Sequence, residues 1–544
     1  MTDERPDADP SAEPPTTTAT AATATPPPAV APTDARWIRS GLLATFLAIL
    51  SGTLYFLGFA GFEIWPLSLI SLVPLLLALR GRSGFRAFAL GWLMGFVTNA
   101  GGFYWIVSML KTFSGFRTIL CIAFSSILWA GQGLQFGFFA WFVARADHWK
   151  APRLLSVPAA LGALELGFPL LFPSYTANSL HNVPLLIQTA DLGGPILISM
   201  AMAAGSTALE DVIANWRKRT SPRERWKPLL VPLAWWAFSI PYGAWRIHQV
   251  DVENQTAPAL RVAVVQENLG LVEKRQDPEA SLDRHLETTR RLETTQPLDF
   301  AVWSESAVSF LVHTDVPNIA PELPPWGLHV PVLLGALSNR NGRYYNTAFM
   351  TGFDGAIAGT YDKTYLLAFG EYIPGGELFP KLYQMSPNSG HFMRGSRMVA
   401  LPLPGDTPSA PRTVMPLICY EDILPRFVRD FQNASHASLF AVILNDAWFG
   451  DTAEPWIHFA LSKFRSIEHR RDFVRSANSG VSGFVDAAGR VIAHTGAFRT
   501  ESLVATVHLR TRRTPYDLVG DWAAWLAVAF TLWMVRPRWR VLGA

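Results

Sequence analysis

Three expected strand ends of the chain each deliver a residue able to do chemistry. Trp303-Ser304-Glu305 delivers a carboxylate. Tyr361-Asp362-Lys363 delivers an ammonium and is followed by Phe369-Gly370-Glu371-Tyr372. Leu417-Ile418-Cys419-Tyr420-Glu421 delivers one of the chain's two cysteines. A thiol of ordinary pKa, about 8.5, is mostly protonated at neutral pH, so it needs a base before it attacks. Glu305 is the candidate general base. Attack of a thiolate on an ester or amide carbonyl builds an oxyanion, which Lys363 and the backbone amide after Cys419 would stabilise. The product is a thioester that an incoming amine displaces. Taken singly, each residue has a plainer reading: a buried cysteine packs as a small hydrophobe, and Glu371 or Glu421 serves as an ion-pair partner. His458 and His469 fall at helical positions without a second ligand at metal spacing, and are read as structural or surface residues. No metal and no cofactor is expected.

These residues require rigid elements beneath them, since strand ends fix side chains while loops leave them accessible. Short apolar runs read as buried strands at Leu260–Val265, Asp299–Trp303, Val330–Ala336, Thr413–Ile418 and Leu439–Leu444. Leu282, Leu286 and Leu292 share one helical face within Ala280–Thr294. Ile457, Leu461, Phe464 and Ile467 do the same within Pro455–Arg475. Asp354-Gly355 and Ala488-Gly489 sit between apolar runs as hairpin turns do. Residues 250–515 therefore read as an α/β catalytic domain.

The rest of the chain is different in kind. Of 544 residues, 49% are hydrophobic and only 16% charged, against about 25% charged in soluble chains. Eight apolar runs approach the ~20 residues that a spanning helix needs: 41–60, 64–79, 87–110, 118–144, 154–173, 188–209, 228–245 and 518–535. The fifth contains Glu165 and Asp191 flanks the sixth. Residues 37–249 thus form a seven-helix membrane domain, and 516–544 an eighth helix with a basic tail. Basic residues orient the spans. Arg80, Arg82 and Arg86, then Arg145, Lys150 and Arg153, then Arg217 through Lys227, and finally Arg536, Arg538 and Arg540 fall on one side. Only Lys111 and Arg117 fall in the opposite short loops. Both termini are expected in the cytoplasm and the catalytic domain outside. Residues 1–36, rich in Pro, Ala and Thr, read as a disordered tail. Two cysteines exclude a disulfide framework. The net charge of +3 gives no reason to expect nucleic acid as a partner, and a monomer is expected.

At its chemical motifs the sequence resembles the nitrilase, or carbon–nitrogen hydrolase, superfamily, and most closely its membrane branch, the apolipoprotein N-acyltransferases. The resemblance rests on Val264-Val265-Gln266-Glu267-Asn268, Trp303-Ser304-Glu305, Asp362-Lys363 with Phe369 through Pro374, Ile418-Cys419-Tyr420-Glu421, Asn445 through Gly450, and the run from Arg465 to Asn478. Ser304, Leu367-Ala368 and Asn478-Ser479-Gly480 depart from the usual family residues. The resemblance implies a four-layer α-β-β-α sandwich and a Glu-Lys-Cys triad at Glu305, Lys363 and Cys419. It also implies supporting roles for Glu371, which would hold Lys363 charged and oriented, and for Glu421 and Tyr420. The acyl donor would be a phospholipid, typically phosphatidylethanolamine. The acceptor would be the α-amino group of the S-diacylglyceryl cysteine that begins an apolipoprotein, modified at the periplasmic face of the bacterial inner membrane. A membrane-tethered amidase or nitrilase acting on a small amide uses the same triad and is the alternative. The segment Gly375–Arg397, with Leu378, Phe379, Tyr383 and Phe392, is expected to be a lid that dips into the interface.

Overall fold

A computed structural model of the chain describes residues 40–313, 316–321, 323, 326–385, 390–405 and 412–536. The expected disordered tail lies outside the described residues, as do Arg538 and Arg540.

The N-terminal half is helical. Gly41–Gly58, Thr118–His148 and Ala190–Arg217 are long and apolar enough to cross a membrane. Phe85–Gly102 and the helix that follows it qualify together, bent by 58°. These helices are what mark the chain as a membrane protein. The remaining apolar runs build elements that are shorter, interrupted or less uniformly apolar. The run at 64–79 is two short helices, Pro66–Ile70 and Val73–Leu79, each opened by a proline in its first turn. The helix over 154–173 stops at Gly167. Leu230–Asn254 runs on past the apolar stretch to the start of the catalytic domain. Phe85–Gly102 and Thr118–His148 approach so closely that a Cβ at Gly95 would lie 2.5 Å from the Gly133 carbonyl oxygen. Small residues at such a crossing let backbones meet where no hydrophobic effect drives association.

Two acidic residues within the apolar half are both partnered. Glu165 accepts from the Thr176 backbone N–H and hydroxyl at 2.8 and 2.7 Å. Asp191 pairs with Arg246 at 2.8 Å and with Arg470 at 2.7 Å. Since Arg470 caps a helix of the C-terminal half, the second pair ties the two halves together.

The C-terminal half contains two sheets. The strands are β1 (Ala259–Gln266), β2 (Phe300–Val302), β3 (Val308–His313), β4 (Val332–Arg340), β5 (Arg343–Thr351), β6 (Ile357–Asp362), β7 (Leu401–Pro402), β8 (Thr413–Ile418), β9 (Leu439–Leu444), β10 (Phe473–Ala477), β11 (Gly483–Val485), β12 (Val491–His494) and β13 (Glu501–His508). One sheet runs β13-β1-β2-β4-β5-β6 with β3 beside β4, and the other β12-β11-β10-β9-β8-β7. The centre of each is parallel: β1-β2-β4 in the first, β8-β9-β10 in the second. Parallel strands are covered on both faces, which is why β9 reads Leu-Phe-Ala-Val-Ile-Leu without alternation. Leu260, Val262 and Val264 of β1 share a core with Leu417, Val442 and Val474 of the second sheet. The intervening Ala263 and Val265 face the opposite way, against Leu282 and Leu286 of the helix Ala280–Thr295. That is the two-residue period of a strand.

The helical pattern over Pro455–Arg475 is corrected at its end. The helix is Glu454–His469, Arg470 takes a left-handed conformation (φ 51°), and Phe473–Ala477 is a strand. A left-handed residue ends a helix by exposing its last carbonyls to local N–H donors. Phe473 and Val474 then find a β partner in β9.

Candidate functional site

Glu305 lies three residues past β2, Lys363 directly follows β6, and Cys419 directly follows β8. Two sheets therefore contribute their strand ends to one place. The Glu305 turn sits against β4, where a Cβ on Gly335 would come within 2.2 Å of the Glu305 carbonyl oxygen. Only glycine admits that approach. Cys419 has φ 51°, a left-handed conformation that is costly for a non-glycine residue and typical of strained functional positions.

The side chains converge. The Lys363 ammonium is 2.8 Å from Glu371 and 3.7 Å from Glu305, and is only 2% exposed. Burial works against its charge, but Glu371 and Glu305, with Cys419 adding to them, hold its pKa above the usual lysine range. Burial lifts the Glu305 carboxyl above the ordinary carboxylate range against the pull of Lys363, and Glu371 lifts it further. Burial likewise raises the Cys419 thiol well above its ordinary value; Glu305 adds to the rise and Lys363 opposes it. The resting site therefore favours a thiol, a lysine cation and a carboxyl near Cys419 with raised proton affinity.

Glu371 does more than pair with Lys363. Its other oxygen accepts from the Leu367 N–H at 2.8 Å, closing the loop that carries it. Glu421 accepts from the Tyr361 hydroxyl and the N–H groups of Thr364 and Tyr365 on one oxygen, and from the Ile418 N–H on the other, all at 2.8–2.9 Å. It thus clamps the Lys363 loop to the strand end that presents Cys419. The Tyr420 hydroxyl donates to the Leu171 carbonyl at 2.5 Å, reaching out of the sheet domain to the segment after the helix Arg153–Gly167.

Asn346 was not foreseen. Its side-chain amide donates to Glu305 at 2.7 Å and to Glu371 at 3.3 Å, and its backbone carbonyl accepts from the Lys363 backbone N–H. The β5–β6 register pairs Thr347 with Asp362, which brings Asn346 beside Lys363. A polar residue heading the buried part of a strand was the available signal.

His458 and His469 are both buried, so neither is a surface residue. His458 bridges Asp422 (2.9 Å) and Asp446 (3.1 Å), with the Arg475 guanidinium also on Asp422. Asp446, Glu454 and His458 bring ligand-type atoms within 4.8 Å of one another. Both ring nitrogens of His458 are already engaged and Arg475 supplies a fixed cation, so these groups form a self-neutralised ion network.

Beside Cys419 lies a small apolar pocket. Leu367, Ile423, Phe449 and Leu461 line it from the catalytic half, and Phe103, Trp105 and Phe172 from the helical half. Trp105 meets Phe449 edge-on at 5.2 Å, so the two halves share this wall.

Residues 51–208 match the model of the apolipoprotein N-acyltransferase N-terminal domain, and residues 327–516 that of carbon–nitrogen hydrolases. An apolipoprotein N-acyltransferase of Geobacter metallireducens is 30% identical over 496 residues, covering 89% of this chain and 93% of its own. One of Azotobacter vinelandii is 31% identical over 533 residues, covering 92% and 97%. The chain belongs to the apolipoprotein N-acyltransferase family. Its C-terminal half has the nitrilase-like carbon–nitrogen hydrolase fold of that family. Among solved structures, a carbon–nitrogen hydrolase superfamily protein of Xanthomonas campestris aligns at 16% identity and a TM-score of 0.35, over 53% of this chain and all of its own. Saccharomyces cerevisiae Nit3 aligns at 15% identity and 0.35, over 46% and 90%.

Proposed function

We propose that the protein acylates the α-amino group of the S-diacylglyceryl cysteine of apolipoproteins, drawing the acyl chain from a phospholipid such as phosphatidylethanolamine through a thioester on Cys419. The observation that carries this reading is the pocket at Cys419, to whose wall the helical half contributes Phe103, Trp105 and Phe172. A small amide has no use for such a wall; an acyl chain entering from a bilayer does.

In the first half-reaction Glu305 takes the Cys419 proton and the thiolate adds to the ester carbonyl. Lys363 stabilises the oxyanion. Collapse breaks the ester C–O bond, and Glu305 returns the proton to the departing lysophospholipid oxygen. In the second, the acceptor amine adds to the thioester, Glu305 removes its proton, and the C–S bond breaks to regenerate the thiol. Glu371 keeps Lys363 charged and aimed, Glu421 sets the spacing between the lysine loop and the nucleophile, and Tyr420 anchors the nucleophile to the helical half.

The same reading takes the eight apolar runs as spans. The basic loops lie in the cytoplasm with both termini, and the catalytic domain faces the periplasm. The two sheets and the helices packed against them are read as a four-layer α-β-β-α sandwich, supported by the core shared between the sheets. The Gly375–Arg397 segment is read as a lid. Leu378 and Phe379 within it are 79% and 65% exposed, as suits side chains that enter an interface. The enzyme is taken to act as a monomer on its two lipid partners.

The test is intact-protein mass spectrometry of the purified protein with phosphatidylethanolamine and no acceptor. A hydroxylamine-labile acyl adduct on Cys419, absent from Cys419→Ala and discharged by a diacylglyceryl-cysteine peptide, is expected. Glu305→Gln and Lys363→Met should slow adduct formation by about 10²–10⁴-fold. No adduct on folded protein, with turnover of a small amide instead, would move the assignment to the amidase.

A further inference from the structure

Lys274 is 7% exposed and lies on the short helix Leu271–Gln276, ahead of the helix Ala280–Thr295. Its ammonium donates to the Ser306 carbonyl at 2.7 Å, one residue past Glu305. The same carbonyl accepts from the Ser281 hydroxyl at 3.4 Å, so Lys274 is not needed to satisfy it. A buried lysine is an expensive way to bond one carbonyl, and a neutral side chain would do so at lower desolvation cost. What only a lysine brings here is charge beside Glu305.

We propose that Lys274 is a positioning residue for Glu305: it pins the turn that carries the carboxylate and supplies a second cation that favours the ionised base. The inference rests on the reading of Glu305 as the general base. The groups facing Glu305 are Lys363, Glu371, Asn346, Asp446 and Cys419. Glu371, Asp446 and the developing thiolate all oppose a negative Glu305. Lys363 is shared with Glu371, which lies closer to it. Lys274 bonds the turn one residue past Glu305 and has no carboxylate partner of its own among the described residues. Its other titratable neighbour, His285, is held neutral by burial, which pushes its pKa down to about 3. Burial also pushes the Lys274 ammonium down to about 7, with Glu305 resisting the fall. The extra cation is therefore present in acid and fades above neutrality.

The sign follows. A cation beside a carboxylate lowers its pKa. Removing Lys274 should raise the pKa of Glu305 and move the acid limb of Cys419 acylation to higher pH, by about one pH unit. The experiment measures the rate of Cys419 acylation by phosphatidylethanolamine from pH 5 to 9 in the full-length protein, by intact mass. The variants are Lys274→Met, Lys274→Arg and Glu305→Gln. Thermal unfolding of each variant establishes that it is folded. Expected are an acid limb shifted upward in Lys274→Met and restored toward the parent in Lys274→Arg. A Lys274→Met rate that is unchanged, or lowered equally at every pH, would overturn the inference while leaving Glu305 as the base. Parental acylation by Glu305→Gln would overturn both.

Discussion

At the scale of single residues, the site is a problem of charge placement. Two carboxylates, Glu305 and Glu371, share one ammonium and one amide, and the amide of Asn346 separates their roles. It donates to Glu305 more closely than to Glu371, while Lys363 does the reverse. Replacing Asn346 with Ala should let Glu305 drift and slow Cys419 acylation by about 10²-fold, the cost of a misplacement near 1 Å. Asn346→Asp should do worse, because a third carboxylate repels the other two. Acylation rate, read together with thermal unfolding, separates this from misfolding. Glu305, Lys363 and Cys419 were visible in the sequence as reactive groups at expected strand ends. Asn346 and Lys274 were not. Their significance comes from a cross-strand register and from the turn lying under a neighbouring helix, and neither is encoded in local pattern.

At the scale of elements, the strand ends are rigid but the loops between them are held by one carboxylate. Glu421 receives four donors, from β6, from the loop that follows it and from the end of β8. Glu421→Ala leaves those donors buried without an acceptor, at about 1–3 kcal/mol each where water does not replace it. A lower apparent melting temperature and loss of acylation are expected together. Gly335→Ala acts differently. Its methyl group collides with the Glu305 backbone, so the Glu305 turn must shift, and activity and stability should both fall. Five strands were legible as apolar runs. The short edge strands β7 and β12, and the boundary between the Glu454–His469 helix and β10, were not. They depend on which partner the segment meets, and Arg470 ends the helix through a backbone conformation that composition does not announce.

At the scale of the whole molecule, the buried ion network beneath the pocket makes stability depend on pH. Burial and Arg475 disfavour the His458 cation, but Asp422 and Asp446 overcome them and raise its pKa to about 10. A histidine held above its unfolded value of about 6.5 contributes stability in full below that pH. The contribution declines as pH rises from there through about 10. The apparent melting temperature should therefore fall between pH 7 and 10, and that portion of the fall should be missing in His458→Asn. The membrane character and the presence of an α/β domain were plain from composition and from the clustering of apolar residues. The packing of helical half on catalytic half was not, since Asp191 with Arg470 and Trp105 with Phe449 are separated by hundreds of residues in the chain.

Tyr420 has a consequence beyond anchoring. It is the neighbour of Cys419, and its hydroxyl rests on the Leu171 carbonyl of the helical half. Helices that tilt to match a thicker or thinner bilayer would carry that carbonyl with them and turn the sulfur relative to its base. The acylation rate should vary with the acyl length of the surrounding lipid, and Tyr420→Phe should flatten that dependence.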